Sequence, residues 1–263
     1  MRVHHLSCGT MHPLAFGRDH MICHCLLVET DNDGLVLVDA GISKADLLDP
    51  KARLGKGFAR LARVEKNAAH AALSQVEALG FTASDVRHVV LTHMDLDHVS
   101  GLVDFPDARV HVHATEHAVA MTRPTFASRQ RYLPVMWSHA PQFQTYSDLG
   151  EPWFGFDAVR ALAGLPPEIL LIPLAGHSRG HAGVAVKDGD QWLLHAGDAY
   201  FSQGEVHAPK RECPPLLRTF QSLVEVDRKA RLGNQTRLRS LAKASAEVTI
   251  FSAHDPSELV SES

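Results

Sequence analysis

The sequence predicts an α+β fold in which a sandwich of two β-sheets is flanked by helices. Three observations carry that expectation. Strand-like and helical segments follow one another as strands, helix, strands, helix, twice over. Two Asp-Gly pairs, Asp33-Gly34 and Asp188-Gly189, lie between apolar, β-branched runs, where a tight turn needs the positive φ that Gly adopts freely. A chain of 263 residues with 45% hydrophobic content has enough apolar side chains for a substantial core. The length permits one or two domains, and we take 1–263 as one, with no short-period repeat.

In chain order, residues 22–40 read as a hairpin that ends in a buried strand, Leu-Val-Leu-Val-Asp39. From Asn67 to Leu79 the apolar residues Ala69, Leu73, Val76 and Leu79 recur at helical spacing, and Gly80 closes the helix. Thr82-Ala83-Ser84-Asp85 fits a capping box, after which VRHVVLTH reads as a buried strand running into a polar loop. VHVHA is a further strand, followed by the helical ATEHAVAM. Between about 122 and 158 four prolines break every pattern and Phe126, Tyr132, Trp137, Phe143, Tyr146, Trp153 and Phe154 crowd in, which predicts an irregular, partly helical insertion covering the site. It carries few charges beyond Arg123, Arg129, Arg131, Asp148 and Glu151. Strands return in EILLIPLAGH and GVAVKDGDQWLLHAGD; a helical stretch occupies roughly 214–243, and EVTIFSAHD is the last strand.

Charge and composition exclude several classes. With 26 Lys plus Arg against 30 Asp plus Glu, the net charge of −4 offers no general attraction to nucleic acid or an anionic membrane. The basic residues Arg228, Lys229, Arg231, Arg237 and Arg239 are expected to form a solvated helix face, with no interleaved aromatics to stack on bases. No run of 18 apolar residues exists and the N-terminus lacks a secretory pattern, so a soluble, cytoplasmic protein is expected. The four cysteines (Cys8, Cys23, Cys25, Cys213) lack C-x-x-C spacing and are expected to be buried thiols.

The sharpest chemical signal is LTHMDLDHVSG, which sets His93, Asp95, Asp97 and His98 within six residues at the end of an apolar strand. Carboxylates and imidazoles packed this closely need a cation to offset desolvation and mutual repulsion. A solvated polar loop is the alternative for that segment alone. Three more segments deliver a ligand type at the end of an apolar run: PLAGH to His177, LLHAGD to Asp198 and TIFSAH to His254. Any one of these is ordinarily a loop residue; together with the first cluster they point to a metal site.

The pattern His93-x-Asp95-x-Asp97-His98, then His177, Asp198 and His254, resembles the five-motif signature of the metallo-β-lactamase superfamily, with Leu-Val-Asp39-Ala-Gly matching its first motif. The resemblance runs from about residue 20 to 256. It implies an αββα four-layer sandwich of two mixed sheets with the metals at one edge. It also implies two divalent metal ions, one held by His93, Asp95 and His177, the other by Asp97, His98 and His254, with Asp198 bridging. Such a pair shares a water and lowers its pKa toward roughly 7, so that a bridging hydroxide attacks the substrate carbonyl. Asp97 has the family role of orienting that hydroxide and relaying its proton.

One residue departs from the signature: position 95 is usually His in that family and is Asp in this chain. Zn is the expected metal, and because a carboxylate shifts preference toward oxygen-preferring ions, Fe or Mn are the alternatives Asp95 introduces. Tyr200, two residues beyond Asp198, is a second catalytic candidate, as a phenol there is placed to donate to an oxyanion; similar lactonases carry their Tyr slightly further along. Its alternative is a core-edge aromatic. Asp39 and His181 are read as residues that fix a ligand imidazole. His4, His5, His20, His24, His111, His113 and His195 are read as non-catalytic.

Site chemistry fixes the reaction type more firmly than the substrate. The aromatic insertion, and wording closer to lactonases and glyoxalase II, predict a hydrolase of small or medium esters or lactones. The alternatives are a thioesterase like glyoxalase II, then a phosphodiesterase, a β-lactamase or an iron-dependent oxidoreductase. A binding module that keeps a metal without turnover is the reading from a different class. A small-molecule substrate is the expected partner, with no nucleic acid and no membrane.

Overall fold

A computed structural model of the chain describes residues 1–13, 20–147, 150–156 and 160–260. Six strands form the first sheet, in sequence order: β1 (Arg2–Met11), β2 (Met21–Glu29), β3 (Leu35–Val38), β4 (Val86–Val90), β5 (Arg109–His113) and β6 (Gln142–Tyr146). β1 to β3 pair antiparallel and β3 to β6 parallel. The second sheet contains β7 (Arg160–Ala161), β8 (Ile169–Pro173), β9 (Ala182–Asp188), β10 (Gln191–His195) and β11 (Val248–Phe251), in the order β11-β10-β9-β8-β7. Only β10 and β11 pair parallel there.

Strand periodicity sorts the core into three apolar layers. Leu27, Leu35 and Leu37 face one way and pack with Leu47, Leu54, Val76, Val99 and Leu217 of the flanking helical segments. Leu26, Val28, Val36 and Val38 face the other way and meet Ile169, Leu171, Val184 and Val186 of the second sheet. On the far side, Leu170, Ile172, Leu194 and Ile250 pack on Leu238 and Leu241 of the helix Arg228–Ala244. The layers are therefore helices, sheet, sheet, helix. Burial of both faces explains why β2 and β3 read as continuous apolar runs rather than alternating ones.

Both Asp-Gly hairpins form, with φ of 77° at Gly34 and 56° at Gly189. Thr82 and Asp85 make the expected capping box, and all four cysteines are free and buried. Other expectations need correction. The helix expected over 67–79 is a 3₁₀ turn, Ala68–His70, followed by the helix Ala72–Ala78, because Ala71 between them is extended. The stretch 214–243 is two helices, Pro215–Val224 and Arg228–Ala244, separated at Glu225 and restarted by Asp227, whose side chain accepts from the Ala230 N–H.

The basic face of the second of these helices is not simply solvated. Arg231 is buried and donates to Glu225 and Gln221, Arg239 donates to the carbonyls of Glu205 and Ala208, and Arg237 lies 4.2 Å over the Phe156 ring. The stretch 122–158 is also more regular than its prolines suggest. Thr125 and Ser128 cap a helix, Phe126–Arg131, and β6 adds a parallel edge strand to the first sheet. Asp148 lies outside the described residues. Among the described residues no helix is long and apolar enough to cross a membrane.

Candidate metal centre

The site is built at strand ends. β3 runs into Asp39, β4 into Thr92 and His93, β8 leads to His177, β10 to Asp198 and β11 to His254. Asp97 and His98 lie in the short helix Leu96–Val99 that follows β4. These segments gather all seven expected ligand residues into two groups, His93, Asp95, His177 and Asp198, and Asp97, His98 and His254. Within each group the ligand atoms lie within 4.8 Å of one another.

In the first group, Asp95 Oδ2 is 3.3 Å from His93 Nε2 and 3.0 Å from His177 Nε2, and Asp198 Oδ2 is 3.7 and 3.3 Å from the same two nitrogens. In the second, Asp97 Oδ2 is 3.9 Å from His98 Nε2 and 3.6 Å from His254 Nε2, and Asp198 Oδ1 is 3.4 and 3.1 Å from them. Four ligands about 2.0–2.2 Å from one ion at tetrahedral angles would stand about 3.3–3.6 Å apart; the separations of 3.0–3.7 Å in the first set and 3.1–3.9 Å in the second bracket that range. Asp198 serves both sets: Oδ1 faces His98 and His254, while Oδ2 faces His93 and His177 and also lies 3.2 Å from His254 Nε2.

Hydrogen bonds behind the imidazoles settle which nitrogen faces the centre. His98 Nδ1–H donates to Asp39 Oδ2 at 2.7 Å, and His254 Nδ1–H to the Ile22 carbonyl at 2.8 Å. Thr92 Oγ1–H also donates to Asp39 Oδ2, so the Thr92 oxygen accepts from His93 Nδ1–H at 3.0 Å. Each ring therefore turns its Nε2 lone pair inward. His93 Nε2, His98 Nε2 and Asp198 Oδ1 are buried without a hydrogen-bond partner. Orphaned buried polar atoms cost about 1–3 kcal/mol each, and the donor set is one that divalent metals bind, so these residues fit a metal.

Charge at the centre is organised by the same contacts. Burial pushes the Asp39 carboxyl up, but the His98 imidazole outweighs it and brings the group down to about 2. Burial and the neighbouring Arg131 guanidinium lower His177 to about 4, which leaves it neutral.

Asp39 and His181 stand behind the ligands. Asp39 adopts a left-handed φ of 57°, tolerable for Asp, and accepts from Thr92 N–H as well. His181 Nδ1–H donates to the Leu174 carbonyl at 3.0 Å, so its Nε2 accepts the Asp198 N–H at 2.8 Å and fixes the bridging residue from its backbone. Gly197 makes this possible: its φ is 53°, and a Cβ there would stand 2.6 Å from His181 Nε2. Asp39→Ala is expected to weaken metal binding about 10–100-fold, as loss of a ligand's orienting partner does. Metal content after dialysis against a graded chelator measures it, and unchanged retention would remove the orienting role.

Tyr200 does not join the cluster. Its ring is fully buried in the core beside the Arg228–Ala244 helix, and its O–H donates to Glu258 Oε1 at 2.8 Å. The phenol donor expected at the site is thus committed elsewhere. His111 bridges His88 and Tyr146 across the first sheet, and His113 accepts from Thr115 N–H at a helix start.

Two important residues escaped the sequence reading. Arg131, at the end of the helix Phe126–Arg131, donates to both Asp95 oxygens, and its Nη2 lies 2.6 Å from His177 Nε2. Glu116, wholly buried in the helix Ala114–Thr122, accepts from Met94 N–H, Tyr132 O–H, Ser178 O–H and Gly180 N–H, and so ties together the loops that carry His93, Asp95 and His177.

Comparison with known proteins places these features in context. The sequence pattern of the metallo-beta-lactamase superfamily matches residues 18–254. A probable metallo-hydrolase of Mycobacterium tuberculosis is 43% identical over 257 residues, 97% of this chain and 81% of that protein. An N-acyl homoserine lactonase of Rhizobium johnstonii is 32% identical over 111 residues, 42% of each chain. Among solved structures, an N-acyl homoserine lactone hydrolase with the product N-hexanoyl-L-homoserine at its catalytic metal centre superposes with a TM-score of 0.73 at 18% identity, covering 97% of this chain and 94% of that one. A dizinc quorum-quenching lactonase in complex with the same product gives 0.66 at 17%, covering 97% and 87%.

Proposed function

This chain belongs to the metallo-beta-lactamase superfamily, and from that membership we propose a metal-dependent hydrolase that opens small or medium carboxylic esters or lactones at a two-metal centre. The observation that carries the reading is the pair of four-atom ligand sets sharing Asp198, each with spacings that suit one ion. His93, Asp95 and His177 would hold one ion and Asp97, His98 and His254 the other, with the Asp198 carboxylate within reach of both. The donor set of four imidazole nitrogens with carboxylate oxygens makes Zn the first candidate, and Asp95 keeps Mn and Fe as alternatives. When bound, divalent metal supplies a Lewis acid for the carbonyl oxygen and water of pKa near roughly 7.

The protein's own groups position and relay. Asp97, whose side chain keeps 11% exposure, would orient the attacking water and take its proton. Asp39, Thr92 and His181 prevent the ligand rings and Asp198 from turning away. The lactone preference is supported by the relatives and neighbours named as lactonases. Substrate-facing residues of the lid are not needed for it, because Tyr132 and Met136 of the aromatic stretch are buried in the core.

The test is elemental analysis of the purified chain without added metal, together with turnover on a panel of N-acyl homoserine lactones, aryl esters, acyl thioesters and bis-nitrophenyl phosphate. Close to two equivalents of metal with turnover of the lactones or esters is the expected result. Preference for thioesters would favour a glyoxalase II-like enzyme. Under about 0.2 equivalents, with none regained on reconstitution, would overturn the metal centre.

A further inference from the structure

Arg131 uses every N–H it has at the first ligand set. Nε and Nη2 donate to Asp95 Oδ1 and Oδ2, the latter at 2.7 Å. Nη2 is also 2.6 Å from His177 Nε2, and because a guanidinium has no acceptor, that nitrogen receives the N–H on its lone pair. Nη1 donates to the carbonyls of His177 and Val224, both at 3.0 Å. Val224 ends the helix Pro215–Val224, so the guanidinium also meets the negative end of that helix. Five donors in a rigid fork, bound on three separate segments, make this a built position rather than a surface ion pair.

Two consequences follow for a metal entering this set. The negative charge that Asp95 brings, in place of a neutral imidazole, is cancelled by the guanidinium. The lone pair of His177 that would bind metal is already hydrogen-bonded. The second set differs in both respects: among the described residues no Lys or Arg hydrogen-bonds Asp97, and the Nε2 atoms of His98 and His254 face only carboxylate oxygens there.

We propose that Arg131 is a fixed cation that makes the His93–Asp95–His177 set the weaker of two unequal metal positions, so that metal entering it must displace the Arg131 N–H from His177. The proposal rests on the metal-centre reading above. It gives Arg131 the role of a positioning residue, which sets how the centre loads.

The test counts bound metal, not turnover. The full chain is equilibrated against a series of chelator-buffered free Zn²⁺ concentrations and analysed for Zn per chain. The wild type is expected to fill in two steps separated by about tenfold or more in free Zn²⁺, and Arg131→Gln to move the weaker step down by about tenfold while leaving the stronger one in place. Arg131→Lys keeps the charge but not the fork, and is expected to fall between them. A single two-equivalent step in the wild type, or a weaker step that Arg131→Gln leaves unmoved, overturns the proposal alone. No uptake at either position overturns the metal centre and the proposal with it. Thermal unfolding checks that Arg131→Gln is folded; where it is not, the wild-type curve and Arg131→Lys decide.

Discussion

Asp198→Ala is expected to lose at least one equivalent of metal and to cut kcat/KM by more than about a hundredfold, beyond the 10–100-fold typical of losing an orienting partner. Asp198 is the one residue with an oxygen in each ligand set, Oδ2 at 3.3 Å from His177 Nε2 and Oδ1 at 3.1 Å from His254 Nε2. No other described carboxylate reaches across. Its backbone is pinned by His181, and Gly197 leaves no room for a side chain that would fill the gap. His98→Ala is expected to behave similarly but to leave the His93–Asp95–His177 position its metal, because His98 Nε2 faces Asp97 Oδ2 and the Asp198 Oδ1 of the second set. Elemental analysis paired with kinetics on the preferred lactone or ester measures both variants. Either variant keeping both metals and full activity would remove the site assignment.

The clustering of the candidate ligand residues was legible in sequence because they follow apolar runs, and a strand that must be buried on both faces announces itself by composition. Their partners were not. His181 touches Asp198 through a backbone N–H, a contact that no spacing encodes. Arg131 sits 36 residues from Asp95 in a stretch broken by prolines, where it read as one charge of an irregular insertion. Asp95 alone suggested a more negative, oxygen-preferring position, and only the fold reveals that a guanidinium cancels its charge.

Tyr200 failed for a related reason. Two residues apart implies a shared face within a strand, but β10 ends at His195, and the chain then turns through Gly197 at positive φ and Asp198 at φ −97°, ψ 20° before Tyr200 is extended again. The phenol consequently points into the core toward Glu258. The breaks at Ala71 and Glu225 were invisible because neither position carries Gly or Pro, yet both residues are extended.

Glu116→Ala is expected to cost roughly 3–5 kcal/mol of stability, the largest effect of any change outside the ligands. The carboxylate is fully buried and accepts four hydrogen bonds: Met94 N–H at 3.0 Å and Tyr132 O–H at 2.9 Å on one oxygen, Ser178 O–H at 2.6 Å and Gly180 N–H at 3.1 Å on the other. Ala would orphan two backbone N–H groups, which cannot rotate away as the two hydroxyls can. Gly180 packs so closely on the start of this helix that a Cβ there would lie 2.1 Å from Glu116 N, so neighbouring side chains have no space to substitute. Glu116→Gln keeps the shape but aims an amide NH₂ at two donors, and should lose about half as much. Denaturant unfolding gives the number, and a loss below about 1 kcal/mol for Ala would show that the four bonds are replaced by water. Since Met94 lies between His93 and Asp95, and Ser178 follows His177, the same variant should also loosen the first ligand set. Its weaker metal position is expected to empty at higher free Zn²⁺ than in the wild type, while the Asp97–His98–His254 position, held from Asp39 and Ile22, keeps its metal.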